Sequence, residues 1–145
     1  MTFVSDCKHN AIVSHERMLA RGHQRIEVPW VRDDRGSLLP IEWHSLPFEP
    51  RRVFAITGVP AGTSRGGHGH RRCSQLLVPV AGEIEVELAL GDARCRLTLT
   101  AGEPALLVRP GIWFRQTYAD KQTLLLVLAS DPYTPDDMFD TPENP

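Results

Sequence analysis

The stretch that decides the fold is Glu83-Ile84-Glu85-Val86-Glu87-Leu88-Ala89-Leu90, followed by Gly91-Asp92 and then Arg94-Cys95-Arg96-Leu97-Thr98-Leu99-Thr100. Apolar residues alternate with acids in the first run and with polar residues in the second. Side chains of a strand point to opposite faces in turn, so this period of two describes a strand with one buried face. Gly91-Asp92 supplies the turn, and the pattern predicts a β-hairpin with Glu83, Glu85 and Glu87 opposite Arg94 and Arg96 on its outer face.

Outward from this hairpin, strand signals dominate from Arg25 onward. Twelve Pro and eleven Gly break the chain every few residues, which suits short strands joined by turns. Further strands are expected at Arg25–Trp30, Leu38–Trp43, Arg51–Thr57, His70–Val80, Ala105–Arg109, Ile112–Tyr118 and Thr123–Ala129. Only Ser14–Arg21 reads as a helix, with Ser14 as N-cap and Gly22 as its stop. The acidic, proline-bearing tail from Asp131 reads as a short arm or frayed end. The expectation is one all-β domain, an antiparallel sandwich or barrel.

The chain has 145 residues, the size of one domain with a substantial core. Its 16 basic and 18 acidic residues leave no positive surplus for neutralising phosphates, so nucleic acid is not an expected partner. The longest apolar stretch, Leu124–Ala129, is far below the roughly 20 residues of a membrane-spanning helix, so no membrane is expected either. Cys7, Cys73 and Cys95 are odd in number and widely spaced, and the first residues carry neither a basic leader nor an apolar core. A cytoplasmic protein without a disulfide framework is expected.

Chemistry concentrates in Gly62-Thr63-Ser64-Arg65-Gly66-Gly67-His68-Gly69-His70. Histidines at i and i+2 of an extended chain share one face and can act on one ligand. By itself the pair is also compatible with two structural histidines beside a glycine turn. The flanking order Gly62-x5-His68-x-His70-x4-Gln75-x6-Gly82 resembles the first motif of cupins, small jelly-roll β-barrels, and Gly102 through Gly111 resembles the second. Gln75 stands where a cupin places its glutamate ligand, and Trp113-Phe114 where it places its last histidine. Two imidazoles and an amide are a poor donor set for a divalent ion, because catalytic zinc and iron sites ordinarily use three protein ligands. No metal and no cofactor are expected; the pair suits proton transfer near neutral pH instead.

At this point the chain resembles the cupin-fold nucleotide-sugar 3,4-ketoisomerases, the WxcM-like proteins. The likeness spans about three quarters of the chain, Trp30 to Phe139. It rests on Asp34-Arg35-Gly36-Ser37-Leu38, Ile41-Glu42, Leu46-Pro47-Phe48-Glu49, Arg52-Val53-Phe54, Arg65-Gly66-Gly67-His68-Gly69-His70 with Gln75, Trp113, and Leu125–Ser130 with Tyr133. The resemblance implies an RmlC-like jelly-roll barrel over residues 25–139, preceded by a short helical extension (1–24) and followed by a tail (140–145).

It also implies conversion of a dTDP-linked 4-keto-6-deoxyhexose to the 3-keto isomer, without metal, by a homodimer that exchanges N-terminal strands. Carried over to matching positions, His68 and His70 are the catalytic pair and Arg65 precedes them, with Arg52 and Trp113 at the site. An enediol pathway needs an acid and a base, which two imidazoles supply, and a donor for the developing oxyanion, which Arg65 or Gln75 offers. Arginine forks suit the diphosphate. The chain departs from the family pattern at Gly69, Arg71, Phe54-Ala55, Phe114 and Asp136-Asp137-Met138-Phe139.

Bland readings stand beside these. Arg51 and Arg52 suit a solvated strand edge, Arg71 and Arg72 alternate so that at most one faces a cavity, and Trp113 suits barrel core. Cys73 lacks a partner base of its own, and Glu42 reads as structural. A metal-dependent cupin enzyme and a non-catalytic nucleotide-sugar-binding cupin are the competing functions, since a fold does not fix a function.

Overall fold

The structure is a computed structural model that describes residues 14–143. Helix α1 (Ser14–Gly22) leads into β1 (His23–Ile26), β2 (Val31–Asp33) and β3 (Gly36–Leu38). After a 3-10 turn at Trp43–Ser45 come β4 (Arg52–Thr57), β5 (Ser64–His70), β6 (Gln75–Ala81), β7 (Glu83–Leu90), β8 (Ala93–Thr100) and β9 (Ala105–Val108). The chain ends through β10 (Trp113–Tyr118), β11 (Leu124–Ala129), a 3-10 turn at Pro135–Asp137 and β12 (Met138–Phe139).

Two five-stranded antiparallel sheets face each other, ordered β1-β9-β6-β11-β4 and β12-β5-β10-β7-β8. This is the jelly-roll sandwich of a cupin, with the predicted β7–β8 hairpin at one edge of the second sheet. Glu87 lies directly opposite Arg96 there, and Arg96 and Arg115 both reach its carboxylate at 3.2 Å. Arg94 departs from the expected charge pairing: its guanidinium donates to the carbonyls of Gly91 and Ala93, because its strand partner is Ala89.

The main core lies between the sheets and joins Leu77, Leu106, Leu125 and Val127 of one to Ile84, Val86, Leu88, Leu97 and Phe114 of the other. A second cluster (Leu76, Val78, Ala105, Leu107, Leu128) lies on the outer face of the first sheet, under Ile26, Val28, Ile41, Leu46 and Phe48. Strands β6 and β9 are therefore apolar on both faces, which explains their unbroken hydrophobic runs.

Several expected elements differ. Leu38–Trp43 is not a strand; the chain instead pairs Val31–Asp33 with Gly36–Leu38 as a small hairpin. Gly36 at φ 127° and the Asp33 carboxylate, which accepts from the Arg35 N–H at 2.8 Å, make the turn. Pro40 lacks the N–H to prolong β3. The expected strand Arg25–Trp30 is shorter and earlier, at His23–Ile26, so the expected domain junction at 24/25 falls inside β1.

The run His70–Val80 is two strands in different sheets, separated by a bend at Arg71–Ser74. The tail is not frayed over its described residues, since Gly91 N–H donates to the Glu143 carbonyl and β12 adds to β5. Helix α1 buries Leu19 in the main core, and His23 Nδ1 donates to the Leu19 carbonyl at its end (2.8 Å). The side chain of Ser14, the expected N-cap, lies outside the described residues, as do residues 1–13 of the extension and residues 144–145 of the tail. Cys73 is a free, buried thiol and Cys95 is disulfide-bonded, a crosslink that the odd, widely spaced set of cysteines does not announce. Among the described residues no helix is long and apolar enough to cross a membrane.

Candidate active site

The histidine pair sits at the end of β5. Gly66 and Gly67, at φ 82° and 79°, set the path into it, and alternation then turns His68 and His70 toward the inter-sheet space. Their ring centroids lie 5.4 Å apart, edge to face, and the Phe114 ring lies 6.4 Å from each. His70 is buried and His68 half-buried.

The bend at Arg71–Ser74 carries the chain across to the opposite sheet, so that Gln75 at the start of β6 returns to His70. Gln75 Nε2 and His70 Nε2 are 3.4 Å apart. With the amide donating, His70 Nε2 is the unprotonated acceptor and the proton resides on Nδ1, which is buried with no hydrogen-bond partner among the described residues.

These two imidazoles open into a cavity of about 260 Å³ between the sheets, which Arg52, Phe54, Arg65, Gln75, Gln116, Tyr133 and Met138 also line. Arg52 is stacked between the rings of Phe54 (4.4 Å) and Tyr133 (5.1 Å), which aims its planar cation without a carboxylate partner among the described residues. Burial is the main cause that holds both histidines below the ordinary imidazole pKa. For His70 the nearby charges of His68 and Arg52 add to this, against the pull of Asp137 and Asp131. For His68, Asp140 and a hydrogen bond with the Gly66 backbone oppose it.

The sequence matches the family described as FdtA, WxcM-like, C-terminal, over residues 21–143. The chain belongs to this family. A curated relative, the TDP-4-oxo-6-deoxy-alpha-D-glucose-3,4-oxoisomerase of Aneurinibacillus thermoaerophilus, is 34% identical over 102 residues, 70% of this chain and 73% of the relative. The QdtA sugar 3,4-ketoisomerase of Thermoanaerobacterium thermosaccharolyticum, solved in complex with TDP, superposes with a TM-score of 0.78 at 29% identity, covering 83% of this chain and 88% of that one. The WlaRB TDP-quinovose 3,4-ketoisomerase of Campylobacter jejuni gives 0.76 at 27% identity, covering 83% and 94%.

Within this FdtA-family barrel, five of the six residues singled out from the sequence meet at one cavity: His68, His70, Gln75, Arg65 and Arg52. Trp113 does not. On β10, Phe114 and Gln116 turn inward, so Trp113 and Arg115 point to the outer face of the sheet, where the Arg115 guanidinium lies 5.7 Å from the Trp113 ring. Trp113 is buried against Ala89 and Phe139, and its Nε1 donates to the Asp140 carbonyl at 3.0 Å.

Arg71 and Arg72 are likewise absent from the cavity wall; they bind the tail through Met138 and Glu143 and through Asp137, respectively. Sequence reading misses Gln116, which strand parity with Phe114 would reveal. It also misses Met138, and it gives Tyr133, quoted only in the resemblance, no place at the site; their segment carries no local signal of folding back. Among the described residues no cluster of three or more His, Cys, Asp or Glu could hold a metal ion, and the donors beside the histidines are amides and guanidinium groups.

Proposed function

We propose that this chain is a sugar 3,4-ketoisomerase of deoxysugar biosynthesis, which converts a dTDP-4-keto-6-deoxyhexose to its 3-keto isomer. The observation that carries this reading is two imidazoles on one strand face, at 5.4 Å, opening into a cavity with two arginines that have no carboxylate partner among the described residues. The oxoisomerase and ketoisomerase relatives support the reaction class.

The step balances without an added oxidant. A base removes the proton from carbon 3, and its electron pair forms the carbon 3–carbon 4 double bond. The carbon 4 oxygen takes a proton to give an enediol. Loss of the hydroxyl proton at carbon 3 and protonation of carbon 4 then leave the carbonyl at carbon 3. His70 serves as base through Nε2, whose lone pair is freed for the carbon 3 proton when the Gln75 amide, 3.4 Å away, turns its N–H from the imidazole to the sugar oxygen, and His68 serves as acid. Arg65 and Gln75 donate to the developing oxyanion, and Arg52 with Arg65 binds the diphosphate. Trp113 supports the wall through Asp140 and does not touch the sugar. The chemistry proceeds without metal, so chelators leave turnover unchanged.

The same reading makes the span from the start of β1 at His23 to residue 139 the catalytic domain, between the extension and the tail, and places the protein in the cytoplasm, where nucleoside-diphosphate sugars are made. It also makes the protein a homodimer that exchanges N-terminal strands. The exposed apolar side chains Val31, Leu38 and Val53 support that assembly. In the single chain β1 pairs with its own β9, so exchange transfers this pairing to the partner's β9.

The test is turnover of TDP-4-keto-6-deoxyglucose by His68→Asn and His70→Asn. Each change should lower kcat on the order of 100- to 10,000-fold while TDP still binds. Near-parental turnover by both variants would overturn the reading.

A further inference from the structure

Strand β10 pairs with β5 only as far as His68, which lies opposite Phe114. The last two residues of β5 are paired instead by β12, with Met138 opposite His70 and Phe139 opposite Gly69. The His70 backbone is thus held from two sides: Gly111 N–H donates to the His70 carbonyl at 2.7 Å, and on the other edge of β5 a two-residue strand from the C-terminal segment pairs with it.

One side chain of that strand packs directly behind the histidines. Phe139 is 5% exposed and packs with Trp113 and Ala89 on the outer face of the sheet, behind the histidines. Its ring lies so close to Gly69 that a Cβ there would be 2.2 Å from Phe139 Cζ, and 2.7 Å from the Ile112 carbonyl. Gly69 has an ordinary strand conformation, so the requirement for glycine here is one of space. The backbone around this side chain is tied as well. Arg71 N–H donates to the Asp137 carbonyl (2.8 Å), Arg71 Nη1 donates to the Met138 carbonyl (2.7 Å), and the Arg71 guanidinium lies 5.5 Å from the Phe139 ring.

We infer that Phe139 is a positioning residue for the isomerase, which presses β12 onto Gly69 and so holds His70 at its working distance from His68. This rests on the proposed roles of the two histidines. Proton transfer depends on heavy-atom approach within hydrogen-bond reach, and a displacement of about 1 Å at a reacting group costs on the order of 100-fold. Phe139 is absent from the cavity wall, so nucleotide binding is spared when it is shortened.

The experiment measures kcat, KM and TDP stoichiometry and affinity for Phe139→Ala, Phe139→Leu and Gly69→Ala. Phe139→Ala should lower kcat at least tenfold, with one TDP bound per chain and its Kd within threefold of the parent. Phe139→Leu, which still covers Gly69, should recover kcat to within threefold. Gly69→Ala attacks the same contact from the other side and should lower kcat in the same way, so the inference stays open to refutation if Phe139→Ala does not fold. A folded Phe139→Ala or Gly69→Ala enzyme with parental kcat overturns it. His70→Asn separates the two levels: an active His70→Asn enzyme refutes the histidine assignment, whereas an inactive one beside a fully active Phe139→Ala enzyme refutes only the role of Phe139.

Discussion

Gln75 Nε2 faces His70 Nε2 at 3.4 Å across the gap between the two sheets, five residues further along the chain. The contact exists because the bend at Arg71–Ser74 takes the chain from the end of β5 to the start of β6 in the opposite sheet. An amide at this place leaves the imidazole neutral, whereas a carboxylate would hold a proton on it.

Replacing Gln75 by Glu should therefore raise the His70 pKa and move the acid limb of kcat/KM to higher pH, with a loss of about tenfold or more at neutral pH. The same change adds a carboxylate to two imidazoles, a three-donor set that suits zinc. Calorimetry with zinc and a pH–rate profile check both outcomes. An unmoved acid limb would show that residue 75 does not act on the base.

Both histidines have pKa values lowered chiefly by burial. The acid limb of kcat/KM should accordingly lie below the ordinary imidazole value of about 6.5. Stability follows the same sign. Between the lowered folded-state values and about 6.5, the unfolded chain binds protons that the folded chain does not, so acidification through this window favours unfolding. Thermal melts should show Tm falling from pH 7 to pH 5, and His70→Asn should reduce that slope.

Asp137 is 4% exposed, and its carboxylate accepts from the backbone N–H of Arg72 (2.9 Å) and of Cys73 (3.1 Å) and from Arg72 Nε (3.1 Å). These bonds build the bend between His70 and Gln75. Asp137→Ala strands two backbone donors and should destabilise the fold by about 2–4 kcal/mol in chemical denaturation. Asp137→Asn keeps one acceptor oxygen but removes a charge that raises the His70 pKa, so its acid limb should move to lower pH.

Tyr133 is exposed but stacks on Arg52, which stands at the cavity wall. Tyr133→Ala should leave Tm within a degree or two and raise the Kd for TDP. An exposed cation–π contact is worth about 0.5–1 kcal/mol, which corresponds to a two- to fivefold weakening. Isothermal titration with TDP measures it, and an unchanged Kd would mean that Arg52 needs no stacking partner.

Fold class, the β7–β8 hairpin and the histidine face are legible in the chain's own residues, because each rests on local rules. Alternation assigns a strand its buried side, a Gly-Asp pair turns a hairpin, and i, i+2 spacing puts two side chains on one face. The same rules, with the family resemblance, named five of the six proposed site residues that the fold brings together at the cavity. Tertiary structure decided what depends on which element covers which. Trp113 lost its place at the cavity because parity with Phe114 turns it outward, under Phe139. The tail from Asp131, polar and proline-bearing, looks solvated in isolation, yet its Asp137 satisfies backbone donors and its Phe139 fills the space over Gly69. Such contacts join residues more than sixty positions apart, and no periodicity within either segment records them.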